Sequence, residues 1–183
     1  MKYFFGFIII VALVVFVFIL VLKGFSGPAQ PKNQINLLDY ANSSTVVRLF
    51  VDGPVNADSQ HNGYRITIGR DANTIETLQG YKYEVIKAQT YANNNDAYAT
   101  FLRSIQLLNF TRGNPDPNLS DMRGVCPTGT RYSFEVESAG QEVQRYWTSS
   151  CGGGSFKGNT ASIRTLFIRQ IPDFDKITSG LHL

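Results

Sequence analysis

The sequence predicts an α+β protein in which a single N-terminal transmembrane helix precedes a small antiparallel sheet with helices packed on one face. Three observations carry that expectation. Residues 3–22 form an uncharged apolar run between Lys2 and Lys23. Short segments farther along alternate apolar and polar residues with the period of two that marks a half-buried strand. Two other segments repeat apolar residues every three or four positions, as an amphipathic helix does. The resulting order is three or four strands, a helix, a hairpin and a second helix, which suits an antiparallel sheet covered on one side.

The first run holds twenty residues, with Gly6 as its one glycine. At about 1.5 Å per residue it covers roughly 30 Å, the thickness of a bilayer's hydrocarbon core. A cleaved signal peptide would have a shorter apolar core and small residues before the cut. Residues 22–27 (LKGFSG) supply no such site. The expected organisation is an anchor over 1–24, a stalk over 25–40 with Pro28 and Pro31, and a domain over 41–183. Lysines on both sides of the run leave its orientation undecided. Cys126 and Cys151 decide it, because disulfides persist outside the cytoplasm. The expected location is therefore the cell membrane, single-pass, with the C-terminal domain extracytoplasmic and the bilayer contacted through residues 3–22.

Within the domain, residues 45–51 (TVVRLFV) are β-branched and apolar, and Asp52-Gly53-Pro54 ends them. Residues 64–68 place Tyr64, Ile66 and Ile68 on one face and Arg65 and Thr67 on the other. A turn at 70–73 returns the chain along 74–78, and 81–88 (YKYEVIKA) reads as a further strand. Tyr98, Phe101, Leu102, Ile105 and Leu108 then form a helical stripe that Asn94, Asn95 or Asp96 can cap. After the rigid NPDPN connection at 114–118, residues 131–148 form a hairpin turning at Ala139-Gly140, with Ser138 opposite Gln141. That register brings Cys126 and Cys151 together at the hairpin's open end, where a disulfide can clamp it. Ile163, Leu166, Phe167 and Ile171 make the last stripe, a helix over 160–171 stopped by Pro172, although 166–168 also suits a short strand.

The net charge of +3 belongs to the N-terminal part. Lys2, Lys23 and Lys32 lie there, and the remaining fourteen basic residues balance all fourteen acidic ones. A neutral, well-mixed surface offers no footprint for a phosphate backbone, so nucleic acid is excluded as a partner.

No catalytic set stands out. His61 lies in a polar loop and His182 in the tail, and neither has a partner at a recognised spacing. Two histidines and two cysteines are too few for a structural zinc site once the cysteines pair, so neither a metal nor a cofactor is expected. The run 152–158 (GGGSFKG) lacks the Gly-Lys-Ser/Thr ending of a phosphate loop. Asp116, Asp121, Glu135, Glu137, Asp173 and Asp175 show no pairing that marks an acid–base site. Sequons begin at Asn42, Asn109 and Asn118.

These observations point to a membrane-anchored accessory domain that binds another envelope protein or a wall component, through an apolar patch of Phe156, Phe174 and Ile177. Two alternatives remain open. One is a small-ligand binder using Trp147, Arg145 and the glycine run; the other is a small hydrolase gathering His61 or the carboxylates in a cleft.

Overall fold

A computed structural model describes residues 35–41 and 44–183, which belong to one unit, Ile35–Leu183. Six strands form one antiparallel sheet: β1 (Thr45–Asp52), β2 (Asn62–Ile68), β3 (Ala72–Gln79), β4 (Glu84–Ala92), β5 (Arg131–Ser138) and β6 (Gln141–Ser149). Three helices accompany it: α1 (Asn95–Leu107), α2 (Thr160–Ile168) and α3 (Phe174–Thr178). The strand order is β4-β3-β2-β1-β5-β6. The first four strands meander outward, α1 crosses back, and β5 takes the vacant side of β1.

The anchor expected over 3–22 lies outside the described residues. Among the described residues no helix is long and apolar enough to cross a membrane. The longest, α1, has thirteen residues and reaches only about 20 Å, against the roughly 30 Å a bilayer requires. Its apolar stripe is spent on the sheet. The fold is corrected accordingly to a six-stranded α+β domain without a membrane-spanning helix among the described residues. The single-pass location, the extracytoplasmic placement, the bilayer contact and the envelope partner inferred from them lose their support with it.

Strand alternation decides which face meets the helices. Val47, Leu49 and Val51 of β1 lie beside Ile68, Ile66 and Tyr64 of β2 and Val136, Phe134 and Tyr132 of β5. These side chains share a core with Tyr98, Phe101, Leu102 and Ile105 of α1 and with Ile163 and Phe167 of α2. Aromatic edges knit the layers: Phe101 meets Phe167 at 5.1 Å, and Phe110 meets Phe134 at 5.8 Å. Asn94 caps α1 by accepting a hydrogen bond from Ala97 N at 2.9 Å. Part of the stretch expected as stalk also packs here, with Leu37 fully buried and its amide donating to Gln106 Oε1 at 2.9 Å.

The opposite face carries charge. Arg48 pairs with Glu137, Arg65 with Glu76 at 2.7 Å and Arg145 with Glu135 at 3.3 Å. Arg65 and Glu76, and Arg145 and Glu135, are direct cross-strand partners, while Arg48 reaches diagonally to Glu137; their partial exposure makes each worth at most about 1 kcal/mol.

Three local expectations change. The hairpin starts with Ser138 opposite Gln141, but a bulge between Val136 and Glu137 shifts the pairing, so Arg131 faces Ser149. The last helix is shorter than expected: α2 ends at Ile168, leaving Ile171 beyond it, and a separate α3 starts at Phe174, past Pro172. The fourth strand begins at Glu84 and not at residue 81, because Gly80 and Tyr83 adopt left-handed backbone angles, with φ of 70° and 54°, which end regular pairing.

Two consequences follow for stability. The Tyr98 hydroxyl donates to the Thr45 carbonyl at 2.8 Å, and burial pushes its pKa from 10.0 up to about 12. As pH rises from 10 to about 12, the unfolded chain releases this proton while the folded chain keeps it, so stability falls across that window. Tyr98→Phe makes this loss shallower, as denaturation midpoints across the same range will show. Gly113 lies against the face of the Tyr146 ring, where an added Cβ would overlap ring carbons. Gly113→Ala is expected to cost about 1–3 kcal/mol through overpacking, seen as a lower denaturation midpoint.

Candidate functional site

β1 and β5 end side by side, with Asp52 opposite Arg131. Both side chains point to the face away from the helices, and the chain after β1 returns His61 to the same place. Asp52 Oδ1 lies 2.7 Å from His61 Nε2, and Asp52 Oδ2 lies 2.7 Å from Arg131 Nη2. Arg131 Nη2 also donates to the Gly53 carbonyl at 2.7 Å, and His61 Nδ1 sits 2.9 Å from the Pro54 carbonyl. Asp52, His61 and Arg131 are 3%, 1% and 4% exposed. Each ring nitrogen of His61 thus faces an oxygen, Asp52 Oδ1 on one side and the Pro54 carbonyl on the other. One carboxylate thus joins His61 and Arg131 in a buried setting.

This cluster builds a corner. The Tyr81 ring stacks on His61 at 4.2 Å with planes 14° apart, while Tyr83 meets Phe50 edge-on at 4.9 Å. The His61 carbonyl accepts from Gly80 N at 2.8 Å, and Asp58 Oδ1 accepts from Tyr81 N at 2.8 Å. The Tyr81 hydroxyl reaches the Asn56 carbonyl at 2.8 Å. Burial, and after it the charge of Asp52, pushes the Tyr83 hydroxyl pKa up. The turn between β3 and β4 is thus locked onto the end of the sheet. At the other end of β4, Asn93 N donates to the Asp71 carbonyl at 2.9 Å and Asn93 Nδ2 to the Gly69 carbonyl at 2.7 Å.

Between those fixed ends β4 is open. Eight of its nine residues are exposed and Tyr91 is half-buried. Val85 is 49% and Ile86 61% exposed. Its inner edge pairs with β3, interrupted by a bulge that leaves Ile86 between the partners of Leu78 and Thr77. The opposite margin of the sheet is treated differently. Along β6, Phe156 N donates to the Trp147 carbonyl at 2.9 Å and Trp147 N to Ser155 Oγ at 3.1 Å. Phe156 itself bridges to Gly113. Around Trp147 this edge is closed by the chain's own later residues, whereas among the described residues β4 presents a row of backbone donors and acceptors. A long open edge is a template for another strand.

The residues singled out from sequence are dispersed. His61 is buried in the corner with both ring nitrogens engaged by Asp52 and the Pro54 carbonyl; His182 is exposed in the tail. Cys126 and Cys151 are joined, with their Cα atoms 5.7 Å apart. Trp147 is buried and donates to the Leu119 carbonyl at 2.6 Å, and Arg145 is taken by Glu135. Gly154 presses on the Trp147 backbone. Of the carboxylates, Glu137 pairs with Arg48 and Asp121 with Arg123, which holds the Asp121 pKa down to about 2. Asp173 accepts from the Tyr91 hydroxyl at 3.3 Å. The apolar patch dissolves too, because Phe156 and Ile177 are buried and Phe174 packs on the core. Among the described residues no group of three or more His, Cys, Asp or Glu could hold a metal.

Asp52 and Arg131 escaped the sequence reading because each looks like the ordinary end of a strand. Only the β1–β5 register brings them together. The openness of β4 did leave a trace: residues 84–92 (EVIKAQTYA) lack the strict alternation of a half-buried strand.

No protein-family model matches this chain, and no match is found among curated proteins or solved structures.

Proposed function

We propose that this protein is a polypeptide-binding module that takes an extended strand along the free edge of β4. The carrying observation is the contrast between the two edges among the described residues: β6 is covered by the chain around Trp147, while β4 is held at both ends and exposed at eight of its nine residues. Strand addition of this kind draws affinity from main-chain hydrogen bonds and specificity from alternate side chains. Val85, Ile86, Thr90 and Tyr91 are residues that favour such pairing. The buried Asp52–His61–Arg131 corner serves the site by fixing where β4 leaves the sheet.

Selection of displayed nonapeptides against the full chain tests this. The expected peptides are rich in β-branched and aromatic residues, and they slow amide hydrogen exchange along 84–92. Peptides that bind while β4 exchange stays unchanged would sink the proposal. A second check replaces Ile86 by lysine, a charge that natural edges use against pairing. Peptide binding is expected to weaken about tenfold or more, with the denaturation midpoint unchanged because the side chain is exposed.

A further inference from the structure

The open edge is also complementary to itself. We propose that its occupant is β4 of a second copy of this chain, paired antiparallel with Gln89 on the two-fold axis. This rests on the strand-addition reading above and adds the identity of the partner.

A two-fold axis perpendicular to a sheet keeps each side chain on its own face, so residues facing one another must share parity. The bulge at Ile86 leaves Lys87–Ala92 as the regular part of β4. Centring on Gln89 pairs Lys87 with Tyr91, Ala88 with Thr90, and Gln89 with itself. Lys87 and Tyr91 lie on one side of the sheet, opposite Thr77 and Asn73 of β3. Thr77 and Asn73 are both buried on the helix side.

Charge selects this register. Lys87 is exposed and makes no ion pair among the described residues. Tyr91 carries the Asp173 carboxylate on its hydroxyl at 3.3 Å, with Asp175 two residues on. In the Gln89 register, Lys87 of each copy lies across from Tyr91 of the other and reaches that carboxylate. The two-fold makes the contact twice. Centring on Thr90 sets Lys87 beside Asn93, and centring on Ala88 sets it beside Gln89, so neither pairs the charge. The Gln89 register also sets the exposed Ile86 against Ala92 of the other copy. No like charges meet.

Cysteine cross-linking of the full chain tests the register, since facing residues place their Cβ atoms about 4.5–5.5 Å apart. The native cysteines are already paired. Gln89→Cys is expected to give a disulfide-linked dimer under mild oxidation, while Ala88→Cys and Thr90→Cys give several-fold less. Lys87→Glu is expected to weaken the dimer about tenfold in sedimentation, and Asp173→Lys in the same chain to restore it. Equal cross-linking at positions 88, 89 and 90, or a charge swap that restores nothing, overturns the register. Failure of Gln89→Cys to cross-link, together with a native chain that sediments as a monomer, overturns self-pairing. In that event, peptide-induced protection of β4 keeps the strand-addition reading, and its absence removes both.

Discussion

Asp52→Ala is expected to cost the domain about 3–5 kcal/mol, because it leaves the buried Arg131 guanidinium without its carboxylate and the buried His61 ring without its hydrogen-bond partner. His61 and Arg131 are 1% and 4% exposed, so water cannot take over the lost contacts without opening the corner. Arg131 Nε already lacks a hydrogen-bond partner, which removes one route of compensation. For a chain of this size the cost corresponds to a fall in Tm of roughly 6–20 °C. Asp71→Ala makes the control: Asp71 also pairs with an arginine, but on the exposed surface, and its loss should leave the midpoint unchanged. Guanidinium denaturation of the two variants decides the matter, and similar midpoints would remove the cluster from its structural role. A second consequence is local. With Asp52 gone, His61 no longer supports Tyr81, so amides from Gly80 to Glu84 should exchange faster even under conditions where the rest of the fold persists.

Reduction of the Cys126–Cys151 disulfide, or Cys126→Ser with Cys151→Ser, is expected to cost about 3.5 kcal/mol if the cross-link acts through the entropy of the unfolded chain. The bond spans a separation of 25 residues. It ties the end of β6 to the segment that precedes β5. Val55 N donates to the Pro127 carbonyl, and Trp147 Nε1 donates to the Leu119 carbonyl at 2.6 Å. Trp147 is the one tryptophan in the chain and is 4% exposed. Its emission should therefore shift to the red when the bond is reduced and the covering segment loosens. A midpoint and an emission maximum that ignore reducing agent would show that the segment is held by packing alone. Gly129 reports on the same place. A Cβ there would run into Cys126 Sγ and Ser150 Oγ, so Gly129→Ala should mimic part of the loss.

Much of the local order was legible from residue types and spacing. The period of two at Tyr64, Ile66 and Ile68 and the helical stripe at Tyr98, Phe101, Leu102 and Ile105 identified elements that the fold contains. The pairing of Cys126 with Cys151 followed from a hairpin register that was one residue off at its open end. A slip of one residue moves opposed Cα atoms by about 3.3 Å, which a disulfide near a turn can absorb. The patch of Phe156, Phe174 and Ile177 was misjudged for the converse reason. Exposure is set by what covers a residue, and the cover comes from elements distant in the chain.

The functional features belong to that second category. Asp52, His61 and Arg131 are polar residues near turns, and their sequence neighbours give them the look of solvated groups. They become a buried cluster because β5 docks against β1 with Asp52 beside Arg131, a pairing of residues 79 positions apart. The same holds for β4. Val85, Ile86, Thr90 and Tyr91 favour a strand and the missing alternation is a trace of openness, but nothing within the segment says which margin of the sheet it takes. Elements follow from short-range periodicity, because side-chain spacing along a helix or strand is fixed by backbone geometry. Which edge stays open, and which charges are sealed from water, follow from long-range pairing, because burial depends on contacts that the local sequence does not encode.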